Sequence, residues 1–231
     1  MDFLDRFHIM LNDEQIKRKA NAHIIVFGVG GVGSALCHFL VRSGICYLDI
    51  VDFDKIDITN VNRQLVANQT NIGKLKTEEL KKQLLNINPE LNINIYPIKY
   101  SQETANEIDL ANYDYICDCI DDVPAKKLLI LKAQELNIKI ISAMGAGNRY
   151  KEYPQFEIAD IYKTSYDPLA KIMRKFCAEA GIKKLTVCYT KQKAQKFDCK
   201  KIGSVVYYPV DMACKMCAKV INDIMEDVWK I

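Results

Sequence analysis

Four glycines and an aspartate are spaced so that together they could bind a nucleotide. Gly28, Gly30, Gly31 and Gly33 follow a short apolar run as G-x-G-G-x-G and precede a helical pattern. A helix that begins there offers unpaired N–H groups and the positive end of its dipole to phosphate. Asp52 ends a second apolar run about twenty residues later, where a dinucleotide-binding unit places the carboxylate that accepts ribose hydroxyls. These residues predict a nucleotide site, and the alternative is a glycine turn that serves only helix–strand packing.

A second group of polar residues follows the glycines and favours ATP as the nucleotide. Its members are Asp54, Asn60, Arg63, Gln64, Lys74 and Lys76. Transfer of a nucleotidyl group to a carboxylate builds negative charge on the α-phosphate, and Arg, Lys and Mg²⁺ stabilise such charge. A nicotinamide-dependent oxidoreductase has no need of these fixed cations beside the phosphates.

The surrounding patterns predict an α/β protein with a doubly wound, mostly parallel, Rossmann-like sheet. Apolar runs predict strands at residues 23–27, 47–51, 91–98, 113–119 and 138–143, and helical spacing predicts helices at 12–21, 34–42, 74–88, 103–110 and 123–137. Farther along we predict a strand at 155–161, a helix at 167–180, and a C-terminal strand–helix extension at 204–208 and 211–230. Loops at the carboxyl ends of the parallel strands should face the ligand.

Four motifs in this order resemble the E1-like adenylating superfamily of the ThiF and MoeB type, which includes the ubiquitin-activating enzymes. They are GxGGxG at 28–33, DxDxIxxxNxxRQ at 52–64, IGKxK at 72–76 and DCID at 118–121. Within that superfamily, residues 160–164, 167–170 and 201–205 are similar to the tRNA threonylcarbamoyladenosine dehydratases. The resemblance covers nearly the whole chain.

The resemblance implies roles for the charged residues. Arg63 would contact the phosphates, with an ion pair to Asp54 or Asp57 as the competing interpretation. Lys76, rather than Lys74, would point into the site. Asp121 would hold Mg²⁺.

Several neighbours leave alternatives open. Asp122 offers a second possible ligand beside Asp121, and Asp118 would cap or pack. Asp54 would orient the ribose or a nearby cation, and Asn60 and Gln64 would bond phosphate or hold Arg63.

The implied reaction is the ATP-dependent dehydration of N6-threonylcarbamoyladenosine at position 37 of tRNA. The threonine carboxylate would attack the α-phosphate, pyrophosphate would leave, and an atom of the ureido group would then displace AMP and close a ring. The alternative is an activator that adenylates the C-terminus of a ubiquitin-like sulfur-carrier protein. A non-catalytic nucleotide-binding protein is a further rival.

Length and composition favour one domain over residues 1–231, at 49% hydrophobic and a net charge of +3. We divide it into an N-terminal helical segment at 1–22, a nucleotide-binding core at 23–150 and a substrate and dimer part at 151–231. No apolar run approaches the roughly twenty residues of a membrane span, so we expect a cytoplasmic protein without a membrane partner. The resemblance implies a homodimer, in which Arg6 could reach the partner's nucleotide or have only a surface role, and leaves open a sulfur-relay partner.

Residues 183–201 carry seven lysines and one acid, which predicts a solvated loop or, given the tRNA resemblance, a contact to the RNA backbone. The nine cysteines suggest buried reduced thiols rather than disulfides. Cys214 and Cys217 form a single CxxC pair on a predicted helix, so we expect no zinc site. Cys188 is either a core residue or a transfer thiol, and the core is favoured.

Overall fold

The structure is a computed structural model that describes residues 2–198 and 201–226. One sheet contains seven strands: β1 (His23–Phe27), β2 (Tyr47–Val51), β3 (Ile95–Tyr96), β4 (Tyr115–Asp118), β5 (Lys139–Ala143), β6 (Phe156–Asp160) and β7 (Thr186–Thr190). Their order is β3-β2-β1-β4-β5-β7-β6, and all neighbours are parallel except β6 and β7. The doubly wound, mostly parallel sheet that the sequence predicts is therefore confirmed.

The described residues also form seven helices: α1 (Asp5–His8), α2 (Asp13–Asn21), α3 (Gly31–Arg42), α4 (Lys76–Leu85), α5 (Val123–Glu135), α6 (Pro168–Glu179) and α7 (Tyr207–Met225). Short 3-10 helices lie at Ile58–Asn60, Ala105–Glu107, Leu110–Asn112 and Ile161–Lys163. Within the described ranges, no helix has the length and apolar character that crossing a membrane requires.

Strand β1 shows why its sequence is an unbroken apolar run. Ile24 and Val26 pack into the core beneath α3, α4 and α7, whereas Ile25 and Phe27 pack into the core beneath α5 and α6. A parallel strand covered on both faces needs apolar residues at every position. Because β1 lies between β2 and β4, the glycines that follow it begin at the carboxyl edge of the central part of the sheet.

Side-chain caps fix the helix starts that the sequence predicts. The Asn12 side chain accepts a hydrogen bond from the Gln15 N–H, and the Gln15 side chain accepts one from the Asn12 N–H. Asp167 accepts from the Ala170 N–H, and Pro168 occupies the first helical position of α6. Both capped helices are confirmed, since such caps satisfy N–H groups that lack a partner within the helix.

The predicted C-terminal strand at 204–208 is wrong. Helix α7 begins at Tyr207, four residues before the predicted helix, and Val206 already has helical backbone angles. A short apolar run fits a strand or a buried helix equally well, and Pro209 is tolerated in the first turn because its missing N–H has no partner there. The predicted helix end at 230 falls outside the described residues.

Three other predictions need correction. The lysine-rich segment 183–201 is not simply a loop, because it contains the buried strand β7 between β5 and β6. The strand predicted at 91–98 is reduced to Ile95–Tyr96, and Pro97, which has no N–H to donate, follows it at once. The helix predicted at 103–110 is replaced by two 3-10 turns.

Candidate functional site

A cleft of about 840 Å³ opens at the carboxyl ends of the central parallel strands. This is where the chain order reverses between β1 and β4, the position at which open α/β sheets bind ligands. All but one of the predicted site residues line it: Gly28, Gly30, Gly31, Asp52, Asp54, Asn60, Arg63, Gln64, Lys76 and Asp121. Gly33, the remaining one, is buried in the first turn of α3.

The glycines do different things in the turn between β1 and α3. Gly28 has a φ of +81°, and a Cβ there would lie 2.8 Å from the carbonyl oxygen of Cys119. A Cβ at Gly33 would lie 1.8 Å from the carbonyl oxygen of Gly28. At Gly30 the nearest atom to a Cβ would be Gln64 Nε2, at 3.7 Å. Gly28 and Gly33 thus permit close backbone packing, while Gly30 leaves open backbone at the cleft.

Asp52 joins the glycine turn to the end of β2. Its Oδ2 accepts the N–H of Val29 and its Oδ1 accepts the N–H of Asp54, each at 2.8 Å. Burial raises the pKa of this carboxyl, against the opposing effects of Lys76 and the two N–H groups. Each oxygen keeps a second lone pair, so the carboxylate can still accept ribose hydroxyls.

Lys76 is the lysine that enters the cleft. It is 5% exposed, and its Nζ lies 2.7 Å from Oδ2 of Asp54. Lys74 is exposed and lies near Glu79, with 3.8 Å between Nζ and Oε1. The structure therefore places Lys76 at the site and Lys74 outside it, and it gives Asp54 the role of holding the lysine.

Arg63 is half-buried at the cleft, and local groups orient it. Its Nη1 donates to the carbonyl of Thr59 at 2.6 Å and to Oδ1 of Asn62 at 3.0 Å. In the part of the chain that the structure describes, it forms no ion pair with Asp54 or Asp57. Its charge is therefore not neutralised by either of the carboxylates proposed as competitors.

Two amide side chains support this loop. Oδ1 of Asn60 accepts from the Asp57 N–H, which closes the turn before Arg63. Oε1 of Gln64 is buried and, among the described residues, has no hydrogen-bond partner. Gln64 therefore has a free acceptor beside Gly30, whereas Asn60 is occupied in holding the turn.

The two acidic residues after β4, Asp121 and Asp122, differ in their hydrogen bonds. Asp122 caps α5, with its Oδ2 accepting the N–H of Ala125 at 3.1 Å. Asp121 is exposed in the cleft and makes no hydrogen bond or ion pair within the described ranges. Of the two neighbours, Asp121 thus has the carboxylate that is available to a ligand.

A fully buried ion pair beneath this loop was missed by sequence reasoning. Lys126 Nζ lies 2.8 Å from Oδ2 of Asp118, 3.1 Å from Oγ of Ser142 and 3.0 Å from the carbonyl oxygen of Ala143. Oδ1 of Asp118 accepts the N–H of Ile120 at 3.1 Å, so the pair fixes the backbone just before Asp121. A signal was present, because Lys126 occupies the apolar face of α5. For Asp118, the predicted packing role is confirmed.

A second pair that was missed shapes the far wall of the cleft. The buried guanidinium of Arg149 donates to the carbonyls of Gly145, Gly147 and Gln192, and its Nη2 lies 3.7 Å from Oδ2 of Asp167. Asp167 also accepts the N–H of Gly145 at 3.0 Å. Sequence alone offered one indication of this wall, because Gly145 and Gly147 follow the end of a predicted strand and precede Arg149.

The thiols near the site are poor nucleophiles. Cys119 lines the cleft, and burial raises its pKa well above the usual thiol range. Cys188 is fully buried in β7, and burial raises its pKa as well, which fits the core interpretation. Because the thiolate is the attacking form, a raised pKa makes both Cys119 and Cys188 poor candidates for acyl transfer.

The remaining candidates lie away from the cleft. Cys214 is exposed and Cys217 is buried on α7, and no group of three or more His, Cys, Asp or Glu side chains within residues 2–198 and 201–226 could hold a metal. Arg6 is exposed on α1. Its predicted role across a dimer stays a prediction.

Comparison with known proteins identifies relatives along most of the chain. The model of the ThiF family matches residues 6–222. The tRNA threonylcarbamoyladenosine dehydratase of Bacillus subtilis is 37% identical over 179 residues, and the protein of the same name from Haemophilus influenzae is 42% identical over 161 residues. These alignments cover 78% and 70% of this chain, and 70% and 61% of the relatives' own lengths.

A solved structure shows the same fold. The crystal structure of the E. coli tRNA N6-threonylcarbamoyladenosine dehydratase in complex with AMP superposes with a TM-score of 0.89 at 24% sequence identity. The superposition covers 97% of this chain and 94% of that one.

Proposed function

The chain belongs to the ThiF family, and we propose that it is an ATP-dependent adenylating enzyme that dehydrates N6-threonylcarbamoyladenosine in tRNA to its cyclic form. The observation that carries this proposal is the meeting of Arg63, Lys76 and Asp121 in one cleft with the glycine turn of α3. The names of the curated relatives support the choice of tRNA as substrate.

The nucleotide is bound by backbone at one end and by carboxylate at the other. The open backbone at Gly30 and the first turn of α3 accept the phosphates, because N–H groups and the helix dipole meet there. Asp52 accepts the ribose hydroxyls. Together these groups fix the α-phosphate between the glycine turn and the charged side chains.

The cations act on the charge that develops during transfer. As the substrate carboxylate attacks the α-phosphate, Arg63 and Lys76 offset the negative charge of the phosphate oxygens. Lys76 is already held by Asp54 and Arg63 by the Thr59 carbonyl, so little reorganisation is needed. Such preorganisation is the main source of catalysis in this class of reaction.

Asp121 fits the role of a magnesium ligand. Mg²⁺ is usually held by one or two carboxylates together with substrate phosphates and water, so a three-residue cluster is not required. When bound, Mg²⁺ would neutralise phosphate charge and favour the departure of pyrophosphate. The free carboxylate of Asp121 is oriented independently of Asp122, which is fixed as a helix cap.

Ring closure needs no nucleophile from the protein. The ureido group of the substrate supplies the atom that displaces AMP, and the net change is loss of water. The raised pKa of the Cys119 thiol, caused mainly by burial, agrees with this route because no thioester intermediate is needed.

The test is mass spectrometry of nucleosides from tRNA carrying threonylcarbamoyladenosine, after incubation with the protein, ATP and Mg²⁺. We expect a product lighter by one water only when ATP is present. If the nucleoside is unchanged while pyrophosphate exchange into ATP responds to a ubiquitin-like carrier protein, the carrier activator replaces the dehydratase.

We further propose a homodimer that uses the N-terminal segment. Phe3, Ile9 and Met10 are exposed apolar side chains around Arg6. Burial of such side chains against a second copy would stabilise the assembly and bring Arg6 toward the partner's cleft. Sedimentation of the wild type and of Ile9→Asp tests this, because the charged variant should shift toward monomer.

A further inference from the structure

Three aromatic rings lie together beside the mouth of the cleft and are used by nothing in the mechanism above. Tyr150, Phe197 and Tyr207 are 48%, 47% and 44% exposed. The ring centroids of Tyr150 and Phe197 are 6.3 Å apart, and the Tyr207 hydroxyl donates to the carbonyl of Tyr150 at 3.0 Å. We call these three residues the aromatic platform.

The platform is tied to the rim of the cleft rather than carried on a free loop. Asn148, which lines the cleft, donates its N–H to the Gly203 carbonyl and accepts the Gly203 N–H on its side chain, each at 2.7 Å. The carbonyl of Asn148 accepts the N–H of Gln195 at 2.8 Å. These bonds join three chain segments and place the Tyr150 ring two residues from a cleft-lining position, since Asn148 precedes Tyr150 by two residues.

Two lysines lie over exposed aromatic rings of this region. Lys151 Nζ lies 5.9 Å from the centroid of the Tyr150 ring, and Lys193 Nζ lies 5.0 Å from that of Tyr166, another exposed ring. In the described part of the chain, neither lysine forms an ion pair. The carboxylate of Glu152 accepts from Gln192 Nε2 at 2.8 Å, which orients it but leaves its negative charge in place.

We propose that the aromatic platform binds unpaired RNA bases that neighbour the modified nucleotide, while Lys151 and Lys193 contact the backbone phosphates. Exposed rings interleaved with lysines are the arrangement that binds single-stranded RNA, since every base has a face that can stack and every linkage has a charge. This proposal rests on the proposed function, because it assigns the part of the tRNA that lies outside the nucleotide cleft. A second copy of the chain is the competing occupant, but such an interface would bury Lys151 and Lys193 without an ion-pair partner among the described residues of their own chain.

The experiment compares Tyr150→Ala and Phe197→Ala with Ile172→Ala, which removes an exposed apolar side chain of the same exposure as Phe197, at 47%, from the outside of α6. Binding of an RNA hairpin with an open anticodon-type loop is measured by fluorescence anisotropy, beside a blunt duplex of the same stem. We expect the platform variants to bind the hairpin roughly 5- to 150-fold more weakly, with duplex binding unchanged. Lys193→Ala should reduce the slope of log K against log salt by about 0.7.

The outcomes are separable. If the wild type dehydrates the tRNA and binds the hairpin, but the platform variants match Ile172→Ala, the platform is overturned and the proposed function stands. If the variants instead change the sedimentation coefficient, the surface is an interface between copies and the proposal is also overturned. If the wild type neither binds nor converts the tRNA, the proposed function fails and the platform fails with it.

Discussion

Lys126 Nζ lies 2.8 Å from Oδ2 of Asp118, and neither side chain has any exposure to solvent. The pair joins α5 to the ends of β4 and β5, directly beneath the loop that carries Asp121. Removal of one member would leave the other charged and buried without a counter-ion. We therefore expect Lys126→Met to lower the free energy of unfolding by about 3–5 kcal/mol, measured by urea titration.

A surface pair on the same helix gives the control. Lys132 and Glu135 are 41% and 61% exposed at their side chains, so Lys132→Met should cost no more than about 1 kcal/mol. The double variant Lys126→Met/Asp118→Leu should recover part of the loss, because neither charge is then left alone. Equal urea midpoints for the two single variants would show that the buried pair does not hold the loop.

Local patterns were sufficient for the centre of the fold but not for its borders. The run of residues 23–27 could be read as a strand covered on both faces because no polar residue interrupts it. The bounds of the strand Thr186–Thr190 were not predicted, because lysines flank it and dominate the composition of the segment. The start of α7 at Tyr207 was missed because its apolar residues pack against partners that are distant in the chain.

The site was predictable where function depends on consecutive residues. The glycines, Asp52, Arg63 and Lys76 lie in short motifs whose spacing follows from one turn or one helix start. The partners of Lys126 come from the ends of two other strands, and those of Arg149 from residues 145–147, Asp167 and Gln192, so they follow only from the folded chain. Sequence reasoning thus found the groups that face the ligand and missed the groups that support them.

Arg63→Ala tests whether the positive charge of Arg63 stabilises the phosphates during transfer. Loss of a fixed cation from a phosphoryl-transfer site typically lowers the rate on the order of a hundredfold or more. We expect that loss in ATP-dependent conversion of the tRNA, with the urea midpoint nearly unchanged because the side-chain hydrogen bonds of Arg63 that the structure describes go to Thr59 and Asn62 in its own loop. Arg42→Ala, at the exposed end of α3, should keep full activity, and an active Arg63→Ala would remove Arg63 from the mechanism.

Matched substitutions at Asp121 and Asp122 test which of the two carboxylates binds Mg²⁺. Asp121→Asn should raise the Mg²⁺ concentration that gives half-maximal activity, because one negative ligand is lost. Asp122→Asn should leave that concentration unchanged, and since Asn is also a good helix cap, stability should change little. Titration of activity with MgCl₂ distinguishes them, and a larger effect at Asp122 would reverse the assignment.

We expect the stability of the protein to depend on pH through the imidazole of His38. It lies half-buried on α3 with Nε2 3.1 Å from Oε1 of Gln83, and burial lowers its pKa below the usual histidine value of about 6.5. The unfolded chain then binds a proton more readily than the folded one, so the contribution is present above about pH 6.5 and is lost as pH falls toward the folded pKa. His38→Gln should reduce the fall in urea midpoint between about pH 7.5 and 5, and an unchanged fall would remove His38 from the pH dependence.

Alanine substitutions at Gly28 and Gly73 distinguish the cost of a left-handed backbone from the cost of a steric clash. Both have positive φ values, +81° and +85°, but a Cβ at Gly28 would lie 2.8 Å from the Cys119 carbonyl oxygen, whereas at Gly73 it would meet nothing within 4 Å. Gly73→Ala should cost only about 1–2 kcal/mol for the left-handed backbone. Gly28→Ala adds a clash that must move β1 relative to the loop after β4, and so displaces the first turn of α3 from the cleft. We expect Gly28→Ala, but not Gly73→Ala, to lose ATP binding as measured by calorimetry. Equal ATP affinity in both variants would mean that the close approach at Gly28 does not position the phosphates.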